Sequence, residues 1–418
     1  MRSAVEAVGP APAPPASGRP PSAPDPPTGQ TRRAFLRRAG LAGGTAVVLS
    51  AGGLSYRAYD QGVLETGDGG AYDAWRDWEQ GAGPLALVSA AILAANPHDR
   101  QAWVFHVTPS RIDLYADRTR ALGSIDPFDR EMYVGLGCAL ENLLQAATAH
   151  GYRARPTLQP TAGVPVHAAR VDLSPGPRRR GALYTAVPKR HTDRSAYRNT
   201  SVAPQALARM SALAGGLPGV RLHWFTADAD RARIGALMVG AARALTQDRQ
   251  QSRDGFRLFR SSWDDIQKHK DGLTLDAQGL SALTTSIAKL LPATSRSAGD
   301  RFWVDQTRKT HTRTAAAYGI VAVPDATDTG HRLNGGRLLE RTHLWAAANG
   351  IALQHMNQMT ERADRERELG LPATFGSQVQ GLIPDAGWEP LVTFRIGYAE
   401  SDDGQRLSPR RRRQDVVA

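Results

Sequence analysis

The chain has 418 residues, 41% of them apolar, which exceeds the usual reach of one hydrophobic core and suits two domains or one duplicated domain. Its formal charge of +12 is concentrated: residues 1–57 carry +5, residues 177–198 carry +6 and residues 406–415 carry +4, leaving the remainder slightly acidic. With no recognisable base-reading element, that placement argues against nucleic acid as a partner.

Residues 9–27 are rich in Pro, Ala and Ser and too poor in large apolar groups to fold. Thr31-Arg32-Arg33-Ala34-Phe35-Leu36-Arg37-Arg38 then leads into small apolar residues from Ala39 to about Leu54. An arginine pair before a short, weakly apolar stretch matches a twin-arginine export signal, too short and Gly-rich for a confident membrane span. The other reading is a basic tail beside a short buried helix. No clear A-x-A site follows, so both a cleaved signal and an uncleaved anchor remain open. The signal would make the twin-arginine export machinery a partner. It would place the protein outside the cytoplasm, exported or membrane-anchored at the extracytoplasmic face.

Trp103–Val107 and Arg111–Tyr115 flank Pro109-Ser110 and predict a hairpin. Met132, Leu136, Leu140, Leu143, Leu144 and Ala147 recur at helical spacing and predict a helix over 131–150, ended by Gly151. Cys138 lies within it as a small core residue; as the only cysteine it excludes an intramolecular disulfide and multi-thiolate metal sites. Residues 174–182, with Ser174-Pro175-Gly176-Pro177, interrupt the pattern and divide the chain into residues 61–181 and 182–418, after a disordered leader over 1–60. A helix is expected near Pro204. Strands are expected at Val220–Trp224, Tyr318–Val323 and Val392–Tyr398, and a second helix at 336–349. Setting Gly151 on Gly350 superposes the two long helices loosely and permits a duplicated unit. Helix and strand signals alternate without a βαβ rhythm, so the fold class is α+β.

No nucleophile elbow, P-loop, metal-binding helix or dinucleotide fingerprint is present, so redox chemistry would come from an organic cofactor and no metal is expected.

Three segments resemble the nitroreductase superfamily, in particular its twin-domain, Acg-type branch. Ala94-Ala95-Asn96-Pro97-His98-Asp99-Arg100-Gln101-Ala102-Trp103 is similar to the branch's A-A-N-P-H-N-T-Q-P-W. Arg190-His191-Thr192-Asp193-Arg194 is similar to the superfamily's R-R/H-S-x-K/R opening. Phe394-Arg395-Ile396-Gly397-Tyr398, followed by Ser408-Pro409-Arg410-Arg411-Arg412-Arg413, resembles the last strand and basic tail that close over the flavin phosphate. The resemblance implies an intramolecular pseudo-dimer of two nitroreductase-like halves holding one FMN between them, in a monomer. Arg190 and the tail arginines Arg410, Arg411 and Arg412 would meet the phosphate, because a planar guanidinium binds two oxygens at once, and Thr192 would add a hydroxyl. Arg194 would sit at the pyrimidine edge, where negative charge develops on reduction. Asn96, Pro97, His98, Gln101 and His191 complete the expected cofactor set, with His98 read as a packing or hydrogen-bonding residue. Leu217–Trp224, the counterpart of the Asn-Pro-His segment, has lost its polar pattern, which implies one site per chain.

Asp99, Arg100 and Ala102 depart from the branch's Asn, Thr and Pro. A carboxylate beside an electron-rich flavin opposes reduction unless Arg100 or another cation pairs with it. Residues 248–300 form a candidate insertion. The expected function is an oxidoreductase passing electrons from NAD(P)H or another donor, through FMN, to a small-molecule acceptor such as a nitro compound or quinone. The alternatives are a non-catalytic protein that stores or sequesters FMN and a relic that binds none.

Overall fold

The computed structural model describes residues 57–63, 65–291, 293–401 and 407–418. The expected twin-arginine segment lies outside these. Among the described residues no helix is long and apolar enough to cross a membrane.

The first half pairs β1 (Trp103–Thr108) with β2 (Arg111–Ala116) as the expected hairpin, Trp103 opposite Ala116 and Thr108 opposite Arg111. Helix α1 (Pro84–Ala91) precedes it, and α2 (Arg130–Ala149) follows, one residue from the expected start. Next come β3 (Tyr152–Leu158) and β4 (His167–Pro175), which complete an antiparallel sheet in the order β1-β2-β4-β3. The second half repeats this plan. Helix α3 (Pro204–Ala212) precedes β5 (Arg221–Phe225). Far along the chain come β8 (Ala317–Val323), α5 (Thr329–Ala348), β9 (Ala352–His355) and β10 (Glu389–Gly397), in the order β5-β8-β10-β9. Both sheets therefore run first-second-fourth-third, as a duplicated unit requires.

The two long helices supply a sharper sign of duplication. With Gly151 set on Gly350, Gly137 falls on Gly336 and Val134 on Leu333. In the fold these positions meet reciprocally. A Cβ on Gly137 would stand 2.1 Å from the Leu333 carbonyl oxygen, and one on Gly336 would stand 2.0 Å from that of Val134. Contacts that exchange i with j in this way are the mark of a two-fold interface. Cys138 lies buried at the same crossing, its Sγ 3.2 Å from the Gly336 oxygen.

The insertion is longer than residues 248–300. It fills the whole interval between β5 and β8, where the first half has only the Pro109-Ser110 turn. It contains α4 (Asp228–Gln247), several shorter helices, and the two-residue parallel pair β6 (Phe259–Arg260) and β7 (Leu273–Thr274). Helix α4 packs Ile234, Met238 and Ala241 on Tyr318, Ile320 and Ala322. Val321 and Val323, on the opposite face of β8, join the main core, so β8 reads as an unbroken apolar run because both its faces are covered.

Each half also receives an arm. The tail returns to the first sheet, where Phe105 N–H donates to Val416 O at 2.8 Å. The segment after Arg190 reaches the second sheet, where Asp193 N–H donates to Leu353 O at 3.0 Å.

Candidate functional site

The Asn96–Gln101 loop sits between α1 and β1 and is held in an uncommon backbone shape. His98, Asp99 and Gln101 have φ of 48°, 53° and 52°, in the left-handed region that costs side-chain-bearing residues energy. Asn96 stabilises the turn: its Oδ1 accepts from Gln101 N–H at 2.8 Å, and its Nδ2 donates to Asp99 Oδ1 at 3.2 Å. Pro97 opens the single 3-10 turn that carries His98.

The tail docks on this loop. Fully buried Gln101 accepts from Arg411 N–H at 2.7 Å and donates to Pro409 O at 3.3 Å and Lys270 O at 2.8 Å. Its amide therefore clamps protein segments together. Arg410 is buried and forms an ion pair with Asp99, while its guanidinium lies 5.1 Å from the centre of the Trp75 ring. The cation that answers Asp99 is thus Arg410; Arg100 instead bonds Asp271 at 3.0 Å. Burial outweighs Arg410 and pushes the Asp99 carboxyl up to about 7, so near neutral pH its charge is only partly present.

Arg190 enters from the start of the second half. Its Nη2 donates to Leu93 O at 2.9 Å and its Nη1 lies 3.4 Å from His343 Nδ1. Its Nε is 3.3 Å from Glu340 Oε1, yet neither atom completes a hydrogen bond. Since Arg190 can only donate, His343 Nδ1 must accept. His343 Nε2 then carries the proton and donates to His191 O at 3.0 Å. His191 packs 4.8 Å from Trp75 and His355 packs 5.1 Å from His343. Burial, reinforced by neighbouring arginines, lowers both His191 and His355 to about 3, so these rings are neutral. Arg194 donates to Ala277 O at 2.9 Å, and burial lowers its pKa.

The structure thus brings together the Asn96–Gln101 loop, Arg190, His191, Arg194, Arg410 and Arg411. Thr192 is half-buried beside them. Arg412 turns away and pairs with Asp415 at 3.4 Å. The sequence reading missed Trp75, Glu340 and His355. Nor did the sequence assign a role to His343, which lies against Arg190.

An anionic ligand with a polar edge fits these residues. The Nε atoms of Arg190 and Arg410 are buried without a hydrogen-bond partner. Among the described residues, neither Arg194 nor fully buried Arg395 has a carboxylate within ion-pair distance, an excess of cation that burial makes costly without a counter-charge.

The insertion covers this site. Gly272 N–H donates to Asp99 O at 3.1 Å. Asp271 draws Arg100, Arg120 and Arg260 around one carboxylate, Arg260 at 2.6 Å. Replacing Asp271 with Ala leaves three guanidiniums facing one another. Proteolysis within residues 256–279 should then accelerate about tenfold, as expected for roughly 1.4 kcal/mol less local stability, with the far-ultraviolet circular dichroism unchanged. Unchanged cleavage would show that the carboxylate does not pin the cover.

No family model matches the chain. Over 130 residues it is 30% identical to two proteins called "Putative NAD(P)H nitroreductase", from Mycobacterium tuberculosis strains CDC 1551 / Oshkosh and ATCC 25618 / H37Rv. Each alignment spans 31% of this chain and 38% of the relative, so the chain matches well under half the length of these curated relatives. Among solved structures, the FMN-dependent nitroreductase NfnB from Mycobacterium smegmatis in complex with NADPH aligns with a TM-score of 0.37 and 16% identity, over 57% of this chain and 97% of that one. The FMN and NADPH-dependent NfnB from Sphigopyxis sp. strain HMH gives 0.36 and 14%, over 56% and 97%. What the chain is similar to in sequence, over those 130 residues, is therefore proteins named as nitroreductases.

Proposed function

We propose that the chain is an FMN-dependent oxidoreductase of the nitroreductase kind, a monomer whose two halves act as a pseudo-dimer around one flavin. The observation that carries this reading is the arginine cluster beside the Asn96–Gln101 loop, buried Arg190 and Arg410 together with half-buried Arg194. FMN would supply two-electron redox chemistry between NAD(P)H or another donor and a nitro, quinone or similar acceptor. Arg190 and Arg410 would hold its phosphate and Arg194 would balance charge at its ring edge. Glu340 and His343 keep Arg190 oriented. Trp75 and the covering insertion exclude water. Arg410 neutralises Asp99, removing the carboxylate that would oppose reduction. We propose further that residues 31–54 direct twin-arginine export, with the protein anchored or released outside the cytoplasm.

The test is FMN reconstitution of the full chain followed by desalting. About one FMN per chain should be retained, falling at least tenfold in an Arg190→Ala/Arg194→Ala variant, since each lost charge-assisted contact is worth about 1.5–3 kcal/mol. A flavin-free parent protein sinks the reading. The insertion's bonds to Asp99, Gln101 and Arg194 favour a second reading, an FMN-holding protein that does not turn over. Anaerobic NADPH should bleach the bound flavin under the first reading and leave it oxidised under the second.

A further inference from the structure

The side of the first sheet turned from the core carries a chain of hydrogen bonds that the flavin reading does not use. Alternation along the strands sends Ile112, Leu114 and Val171 into the core and Arg111, Asp113 and Arg170 to the other side. The pairing of β2 with β4 slips here. Leu114 faces Ala169 but Tyr115 faces His167, so Ala168 is the extra residue of a bulge. Such a bulge re-aims the neighbouring side chain, and this one sets His167 on the Asp113 side. His167 Nε2 lies 2.8 Å from Asp113 Oδ1, and His167 Nδ1 lies 3.0 Å from the Thr161 hydroxyl. His167 and Asp113 are buried, whereas Thr161 is exposed in the connection between β3 and β4.

Asp113 decides where the protons sit. Burial would raise its carboxyl, but hydrogen bonds from Arg170 and His167, with Arg111 beside them, hold it below its ordinary value. Arg170 Nε donates to Oδ1 at 2.9 Å, and Arg111 Nε stands 2.8 Å from Oδ2. A charged carboxylate only accepts, so His167 Nε2 carries the ring proton. Nδ1 then has the free lone pair, and the Thr161 hydroxyl donates to it. Tyr115 stacks on the imidazole, ring centres 4.3 Å apart and planes 19° from parallel, and holds the ring plane. This is the polarity of a nucleophile, its general base and the carboxylate that orients the base. Beside Thr161, the N–H groups of Ala162 and Gly163 donate to no protein acceptor among the described residues. A Cβ on Gly163 would meet nothing within 4 Å, so the connection leaves free donors and open room next to the hydroxyl.

The set belongs to the first half alone. With the bulge residue Ala168 placed on Leu391, Asp113 falls on Ile320 and His167 on Pro390, and α4 covers Ile320. An uncovered sheet face accounts for polar residues, but it would leave them solvated rather than buried and bonded in a line.

We propose that Thr161 is an activated nucleophile, with His167 as its base and Asp113 as the positioning carboxylate, and that it hydrolyses small activated carboxylic esters. Thr161 Oγ bonds to the ester carbonyl carbon while His167 Nδ1 takes the hydroxyl proton. The carbon–oxygen bond to the leaving group breaks, and the departing oxygen receives that proton. A solvent water, deprotonated at the same nitrogen, then attacks the acyl group, releases the acid and restores Thr161. The Ala162 and Gly163 N–H groups stabilise the negative charge that gathers on the carbonyl oxygen. The set shares no residue with the arginine cluster and needs no flavin.

The full chain, without FMN, is tested with p-nitrophenyl acetate and with a fluorophosphonate, whose fluoride a reactive hydroxyl displaces. The ester should be turned over repeatedly, and peptide mass spectrometry should find the phosphonyl group on Thr161. Thr161→Val should lower kcat about a hundredfold or more, the lower end of what a positioned base contributes, and abolish the label. Thr161→Ser should keep both. Thr161 is exposed, so neither change disturbs the core. Asp113→Asn should lower kcat at unchanged KM, because an amide facing Nε2 moves the ring proton onto Nδ1. No label on Thr161 overturns the nucleophile, and turnover unchanged in Thr161→Val overturns the activity. An unchanged kcat in Asp113→Asn overturns the positioning role.

Discussion

Gly137→Ala should lower stability by about 3 kcal/mol or more, the upper part of the range for overpacking a filled core. The new methyl would meet the Leu333 oxygen at 2.1 Å and its carbon at 2.9 Å. Backbone cannot rotate aside as a side chain can, so α2 and α5 must separate. Separation loosens the core that both sheets share and lengthens the Cys138–Gly336 contact. Gly336→Ala should cost a similar amount, because its methyl would meet Val134 backbone in the reciprocal place. The decisive measurement is urea unfolding of both single variants and the double variant. The first methyl already forces the helices apart, so the double variant should lose about 1 kcal/mol or more less than the sum of the singles. Simple additivity would mean that the two glycines do not share one crossing.

Arg190→Met should cost about 3–5 kcal/mol, the usual penalty for stranding one partner of a buried ion pair. Glu340 is fully buried and would keep, among the described residues, only Ala95 N–H, at 3.1 Å, as a hydrogen-bond donor to its carboxylate. Burial already raises its pKa, and removing Arg190, which opposes that rise, lifts it further. A raised folded-state pKa means that stability is lost as pH increases, so the variant should suffer more at about pH 8 than at about pH 5. Adding Glu340→Gln removes the stranded charge yet keeps an acceptor for Ala95 N–H, and should restore most of the loss without restoring FMN retention. A double variant no more stable than Arg190→Met would show that Arg190 acts through packing, not charge.

The boundaries of several elements show where local pattern suffices. The β1–β2 hairpin and α2 were legible because their apolar spacing faces one core and their breakers, Pro109-Ser110 and Gly151, lie beside them in the chain. Helix α5 was expected only from Gly336, although it begins at Thr329. Its first turns carry Arg332, Asn334 and Arg337, which look like surface. They are buried because they bond the Phe128 oxygen at 2.8 Å, the Pro218 oxygen at 3.2 Å and Glu141 at 3.0 Å. No periodicity encodes partners that distant. The insertion was underestimated for the same reason: its ends are defined by β5 pairing with β8.

The candidate site divides in a similar way. The resemblance of three segments to nitroreductases pointed to the Asn96–Gln101 loop and to Arg190, Arg194 and Arg410, which residue type alone would have left as ordinary charged surface. The sequence by itself also determined the α+β class and the repeat hinted at by Gly151 and Gly350, since both follow from local spacing. Only the tertiary structure decided that Asp99 is answered by Arg410, that Gln101 clamps the tail, that Glu340 backs Arg190, and that Asp271 ties the insertion over the loop. The physical reason is separation along the chain. A buried charge selects its counter-ion by distance in space, and every one of these pairings but the Arg260–Asp271 contact joins residues far apart in sequence, brought together only when two sheets and two crossing helices have closed around them.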